Sequence, residues 1–232
     1  MLPSSALPRA VISRSALTAA AAVAAAAGGR IADLRHDAWG HGILAVAQAA
    51  RAAGIDRVLV DSPSEAEALS LEGIDAVVGA TPDVDSMLLY GLPDADGVLA
   101  SQPVMRLSGR VMSTKQLNPG DAVSYGYTHR ASEHTVVALV TGGYAQGIVR
   151  ALGNNAHVEV EGVERPIIGR VAMDVCVVDL QGHEAPVGAD VTYFGGRGPA
   201  APALARWSVV TGLTVAELVA VAGAHAQREW EA

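Results

Sequence analysis

The stretch Pro166-Ile167-Ile168-Gly169-Arg170-Val171-Ala172-Met173-Asp174-Val175-Cys176-Val177-Val178-Asp179-Leu180 decides the fold class. It holds two short apolar runs, 166–171 and 175–180, rich in Val and Ile. Both are too short for helices and too β-branched to favour one, so they predict strands. Working outward, similar runs lie at 110–114, 135–141, 156–160 and 190–194. Turn residues separate them, among them Asn118-Pro119-Gly120 and Gly195-Gly196. Closely spaced short strands predict a mixed-β or barrel-like module from Val104 to Phe194. A helix is expected over 215–226.

Upstream the rhythm changes. Helix signals at 17–27, 43–53 and 65–71 alternate with compact strand signals at 30–34, 57–60 and 74–78. Asp61-Ser62-Pro63-Ser64 supplies N-cap chemistry before the third helix, and Gly54 and Gly73 end the second and third. Three strands alternating with helices predict parallel βα units. Residues 82–103, with Pro82, Pro93 and Pro103, read as irregular, with a last strand expected near 87–90. The division falls at about residue 100: an α/β segment over 1–100 and a β module over 101–232.

Composition excludes several functions. The net charge is −8, and no Lys/Arg cluster exists to replace phosphate counterions, so nucleic acid is not an expected partner. One cysteine, Cys176, excludes a disulfide framework and any multi-Cys metal site. His36 and His41 bracket Asp37 across a Gly-rich loop at a spacing that fits no standard zinc pattern, and no metal is expected. The Ala-rich stretch 15–29 is too short to span a bilayer. It superficially resembles a signal peptide, but Ala favours helix, and a helix of a cytoplasmic protein with no membrane partner is the expectation. The 16 basic residues include a single lysine, Lys115, which reads as a solvated strand residue.

Four strings are more specific than composition: Asp37-Ala38-Trp39-Gly40-His41-Gly42, Ser124-Tyr125-Gly126, Gly143-Tyr144-Ala145-Gln146-Gly147, and Gly169-Arg170-Val171-Ala172-Met173-Asp174. In this order the chain resembles the alanine racemases, almost continuously from 104 to about 194 and partially over 9–80. The resemblance implies α/β + β architecture, here a partial (β/α) barrel fragment followed by an alanine-racemase-like C-terminal β-barrel domain. It also implies pyridoxal 5'-phosphate as cofactor and interconversion of L- and D-alanine as the family's activity.

That chemistry removes the Cα proton from one face and returns one to the other, with the cofactor as electron sink. In the family a Lys, which also anchors the cofactor, and a Tyr carry the protons. The resemblance puts Tyr125 at the catalytic Tyr position, although a Tyr in such a turn, taken alone, reads as structural. Met173 falls at a substrate-site position contributed to the other subunit, and Trp39 at a cofactor-phosphate position where Tyr is usual. Tyr144 would lie near the site entrance.

The lysine position is occupied by Arg35. A guanidinium stays protonated and forms no stable imine, so covalent cofactor binding is not expected. Aligning on Tyr90-Gly91-Leu92 puts Val84 and Ser86 where the family carries an Arg and a Gly. A closed eight-stranded α/β barrel takes about 250 residues, whereas only about 100 precede the β module. The expectation is a homologue without autonomous racemase activity: a pseudoenzyme, or a dimerisation or regulatory partner, as a homodimer or a heterodimer with a full-length alanine racemase. A residual cofactor-dependent amino-acid racemase or isomerase, and a small-molecule-binding β module, are the alternatives.

Overall fold

The computed structural model describes residues 7–232, and Tyr125 by its backbone. In chain order its elements are β1 (Arg9–Ser13), α1 (Arg14–Ala27), β2 (Ile31–Asp33), the short turn α2 (Arg35–Trp39), α3 (Ile43–Ala52), β3 (Arg57–Leu59), α4 (Pro63–Leu71), β4 (Ala76–Val77) and α5 (Ser86–Leu89). There follow β5 (Met105–Leu117), β6 (Ala122–Val123), β7 (His129–Arg130), β8 (Thr135–Thr141), β9 (His157–Val160), β10 (Val163–Ile168), β11 (Val175–Asp179) and β12 (Asp190–Phe194). The chain ends with α6 (Ala203–Thr211), α7 (Val215–His225) and β13 (Gln227–Glu231).

The β module closes on itself. Strand β5 is long enough to serve two neighbours: Leu107–Arg110 runs antiparallel to β12, and Val111–Leu117 runs antiparallel to β8. The ring continues through β11, β10 and β9, and back to β12. Closure removes free edges from these six strands. Alternation along β11 sends Cys176 and Val178 inward, where they join Val140, Ile167, Val191 and Tyr193. Trp207 of α6 is fully buried and meets Tyr193 and Phe194 edge-on, with ring centroids 6.5 and 5.6 Å apart.

Two strands at opposite ends of the chain extend this sheet. β1 lies antiparallel to the first half of β5 and parallel to β13, with Val11 opposite both Arg106 and Glu229. Residues 9–13 therefore belong to the large sheet, although they precede the α/β segment. Ser13 ends β1 and caps α1, its Oγ accepting from Ala16 N at 3.3 Å. The Ala-rich stretch forms α1, which buries Leu17, Ala20, Ala21 and Ala24. Among the described residues no single helix is long and apolar enough to cross a membrane.

The α/β segment is a three-stranded parallel sheet in the order β2-β3-β4. The expected strand at 87–90 is not formed. Asp85 caps a helical turn there, its Oδ1 accepting from Met87 N at 2.8 Å, and Ser86–Leu89 is helical. The free side of β2 is met instead by residues 83–84, whose N–H groups donate to Ile31 O at 3.1 and 3.2 Å. Asp83 Oδ1 returns the contact, accepting from Arg30 N and Ile31 N at 2.7 Å each. Those two backbone bonds hold the Asp83 carboxyl below its ordinary pKa.

Candidate functional site

Arg35 follows β2 at its C-terminal end, where open parallel sheets place their ligand-binding groups. Its Nε and a terminal nitrogen donate to the two oxygens of Asp33 at 2.9 and 2.6 Å, a bidentate pair, and its backbone N–H adds a bond at 3.1 Å. Burial pushes the Asp33 carboxyl up, but the hydrogen bonds from Arg35 outweigh it, and the group lies below its usual value. The same contact raises Arg35 further above its already high value.

The next four residues, His36, Asp37, Ala38 and Trp39, all have φ between 53° and 55°. A left-handed turn costs L-residues roughly 1–2 kcal/mol each, so tertiary contacts must hold it. Asp37 Oδ1 accepts from Ile43 N at 2.8 Å, tying the turn to the start of α3. Arg228 of β13 binds the other Asp37 oxygen and donates to Gly40 O. On the opposite side Gly40 packs on Gly223 of α7, where a Cβ on Gly40 would lie 2.5 Å from Gly223 Cα. Gly40, at φ +80°, thus serves both the turn and the close approach.

Tyr90 orders the aromatic groups of this corner. It is fully buried and donates its hydroxyl to Asp33 O at 2.8 Å. Trp39 stacks on it at 4.9 Å between centroids and His41 at 4.5 Å. His41 is also fully buried, with Nδ1 3.0 Å from Ala38 O. Burial pushes its pKa down to about 4, so the imidazole is neutral near pH 7.

The β-module strings meet on another face. β6 and β7 pair to present Ser124-Tyr125-Gly126 as a tight turn. Ser124 Oγ donates to Arg170 O at 2.5 Å, and Gly126 lies against the Arg170 guanidinium. The turn 143–147 packs on 172–174, with Tyr144 N donating to Ala172 O and Ala145 N to Met173 O, each at 2.9 Å. Gln146 Oε1 accepts from Gly143 N, while its amide donates to Asp174 Oδ1 at 2.9 Å. Tyr144 and Met173 are left exposed, 42 % and 55 %.

The chain thus brings Tyr125, by its backbone, to the neighbourhood of Arg170, and Met173 to that of Tyr144. A hollow of about 590 Å³ runs beside the Ser124–Gly126 turn, walled by Leu139, Ala172 and Val175. A second, of about 620 Å³, lies between Tyr144 and Met173. Neither is lined by Arg35 or Trp39. Sequence reasoning had no means to find Arg228 as the clamp on Asp37, because the two are 191 residues apart and β13 carries no strand signature. Among the described residues, no three His, Cys, Asp or Glu side chains converge as metal ligands.

Residues 104–230 match the family model for the alanine racemase C-terminal domain. Among curated relatives, the alanine racemase of Desulfovibrio desulfuricans is 39 % identical over 115 residues, 47 % of this chain and 31 % of that protein. The alanine racemase of Streptomyces coelicolor is 32 % identical over 151 residues, 65 % of this chain and 36 % of that one. The chain spans about a third of the length of such relatives. Among solved structures, alanine racemases from Streptomyces coelicolor and Streptomyces lavendulae superpose with TM-scores of 0.80 and 0.84, at 21 % and 19 % identity. The first alignment covers 98 % of both chains, the second all of this chain and 98 % of the other. A β barrel closed by β5 and β12, with residues 104–230 of the chain under one family model, makes this chain a member of the alanine racemase family through its C-terminal domain.

Proposed function

We propose that this chain is a non-autonomous member of the alanine racemase family that works through a partner subunit. The observation that carries the reading is Arg35, held by Asp33 where the family's cofactor-anchoring amine belongs. A delocalised guanidinium offers no nucleophilic amine. Trp39 at the phosphate-binding position lies on Tyr90 and has no hydroxyl to donate. Val84 is 5 % exposed and apolar at the position where the family sets an arginine. These residues do not fit pyridoxal phosphate.

The β module, residues 101–232, keeps what a racemase subunit lends its partner. Met173 stands exposed beside Tyr144, and Tyr125 sits in the turn of β6 and β7. In a mixed dimer with a full-length racemase, Tyr125 would complete the partner's proton path and Met173 its substrate wall. In a homodimer neither site would hold the cofactor. A cytoplasmic location follows from that partner and is part of the same reading.

A racemase assay on the purified chain, with sizing and with and without added cofactor, tests the first half: no alanine racemisation is expected, and turnover by the homogeneous protein would overturn it. Co-expression with a full-length racemase tests the second. The two should co-purify, and Tyr125→Phe in this chain should lower activity in the mixed dimer. An unchanged rate in that variant would remove the donor role.

A further inference from the structure

We propose that Arg150, Arg170 and Arg206 form a binding site for a small phosphorylated anion, in a hollow that adjoins those beside the Tyr125 and Met173 strings. The three arginines line one hollow of about 710 Å³ between the turn Arg150–Leu152 and helix α6. No carboxylate lines it. Arg9, Arg30, Arg35, Arg57, Arg106, Arg110 and Arg228 each sit on an Asp or Glu. Among the described residues, the Arg150 and Arg170 side chains have no hydrogen-bond partner, and Arg206 reaches only Asn155 O, at 3.5 Å. Three planar cations around one hollow suit an anion that brings several oxygens.

The remaining wall defines the ligand's other half. Val209, 71 % exposed, and Val210 stand on the same side of the hollow as Arg206, one turn further along α6. Asn154 is held at φ +64°, its Oδ1 accepting from Gly169 N at 2.7 Å, which fixes the floor next to Arg170. A phosphate group at the arginines with an apolar body against the valines fits this arrangement. The hollow shares Arg170 with the one beside the Ser124–Gly126 turn and Arg150 with the one beside Met173, whereas Arg206 and Val209 line neither of those.

Isothermal titration of the full-length chain with inorganic pyrophosphate tests it. One saturable site is expected, weakened by added salt. Arg206→Gln and Arg150→Gln should each weaken binding roughly tenfold or more, the effect of removing one charge-assisted contact. Arg197→Gln, an exposed arginine held by Gln102 outside the hollow, should bind as the parent does. Absence of saturable binding would overturn the proposal, and so would undiminished binding in both Arg206→Gln and Arg150→Gln. Circular dichroism of each variant separates loss of the site from loss of fold.

Discussion

Arg35 grips both carboxylate oxygens of Asp33 in a bidentate ion pair at the C-terminal end of β2. Asp33 is 8 % exposed in its side chain and Arg35 45 %. The pair is therefore half sheltered: the acid is buried and its partner reaches solvent.

Removing the base should strand the acid. Arg35→Ala leaves a buried carboxylate with the Tyr90-bound backbone beside it, and should cost about 1 kcal/mol at pH 7. That figure lies at the low end for a lost charged hydrogen bond, because Arg35 is partly screened by water. The sign with pH follows from a depressed carboxylate. The pair's contribution is fully present above the unfolded Asp pKa of about 4 and is lost as pH falls through the folded value. Urea unfolding should show the wild-type-to-variant gap narrowing on acidification below pH 4. A gap that widens there would contradict the pairing.

His41 responds in the next window up. Its folded pKa is about 4 against an ordinary 6.5. Between those values the unfolded chain binds a proton that the folded chain refuses, so stability falls as pH drops from about 6.5 towards 4. The full effect is on the order of 3 kcal/mol. In His41→Gln the absolute stability drops with the lost stack on Tyr90, but the slope of unfolding free energy between pH 6.5 and 4 should flatten. The slope itself is the readout, and its persistence in the variant would assign it to another group.

The packing of α7 on the left-handed turn depends on two glycines. Gly→Ala inside a helix ordinarily gains up to about 1 kcal/mol. At Gly223 a Cβ would lie 2.8 Å from Gly40 Cα, 2.9 Å from Met105 Cε and 3.1 Å from Trp39 O. The methionine can yield, but the two backbone atoms cannot without shifting the turn. Gly223→Ala should therefore destabilise by roughly 1–3 kcal/mol, the usual cost of overpacking. Chemical denaturation measures it, and a neutral or stabilised variant would show that the turn is not held by α7.

The six barrel strands were legible because their inward residues are branched aliphatics at alternate positions, and their turns carry Gly or Pro. β8 and β12 have the bounds the sequence suggests, 135–141 and 190–194. The expected α/β alternation is also present, with β2, β3 and β4 inside the strand signals at 30–34, 57–60 and 74–78. What escaped was made by long-range pairing. Gln227-Arg228-Glu229-Trp230-Glu231 has one apolar residue and becomes a strand only because β1 offers a parallel edge. The expected strand at 87–90 failed because local capping by Asp85 wins over the apolar run Met87-Leu88-Leu89. At the candidate site, the string from Asp37 to Gly42 was visible as a motif, but its left-handed geometry was not. Four successive positive φ angles on non-glycine residues have no sequence signature, and the bond of Asp37 to Ile43 with the contacts of Arg228, Tyr90 and Gly223 account for them.

The barrel's end should depend on Trp207 more than on any surface strand. Its side chain is fully buried against the edges of Tyr193 and Phe194. Among the described residues the indole N–H finds no acceptor, so its contribution is packing and not hydrogen bonding. Trp207→Ala should cost about 3–5 kcal/mol, the range for a deleted core aromatic. Trp207→Phe should recover part of that, because it restores ring contact and removes an unsatisfied donor. Thermal unfolding of the two variants gives the comparison. If Phe is no better than Ala, the indole N–H holds a bond that the geometry does not show, and the plug is polar rather than apolar in origin.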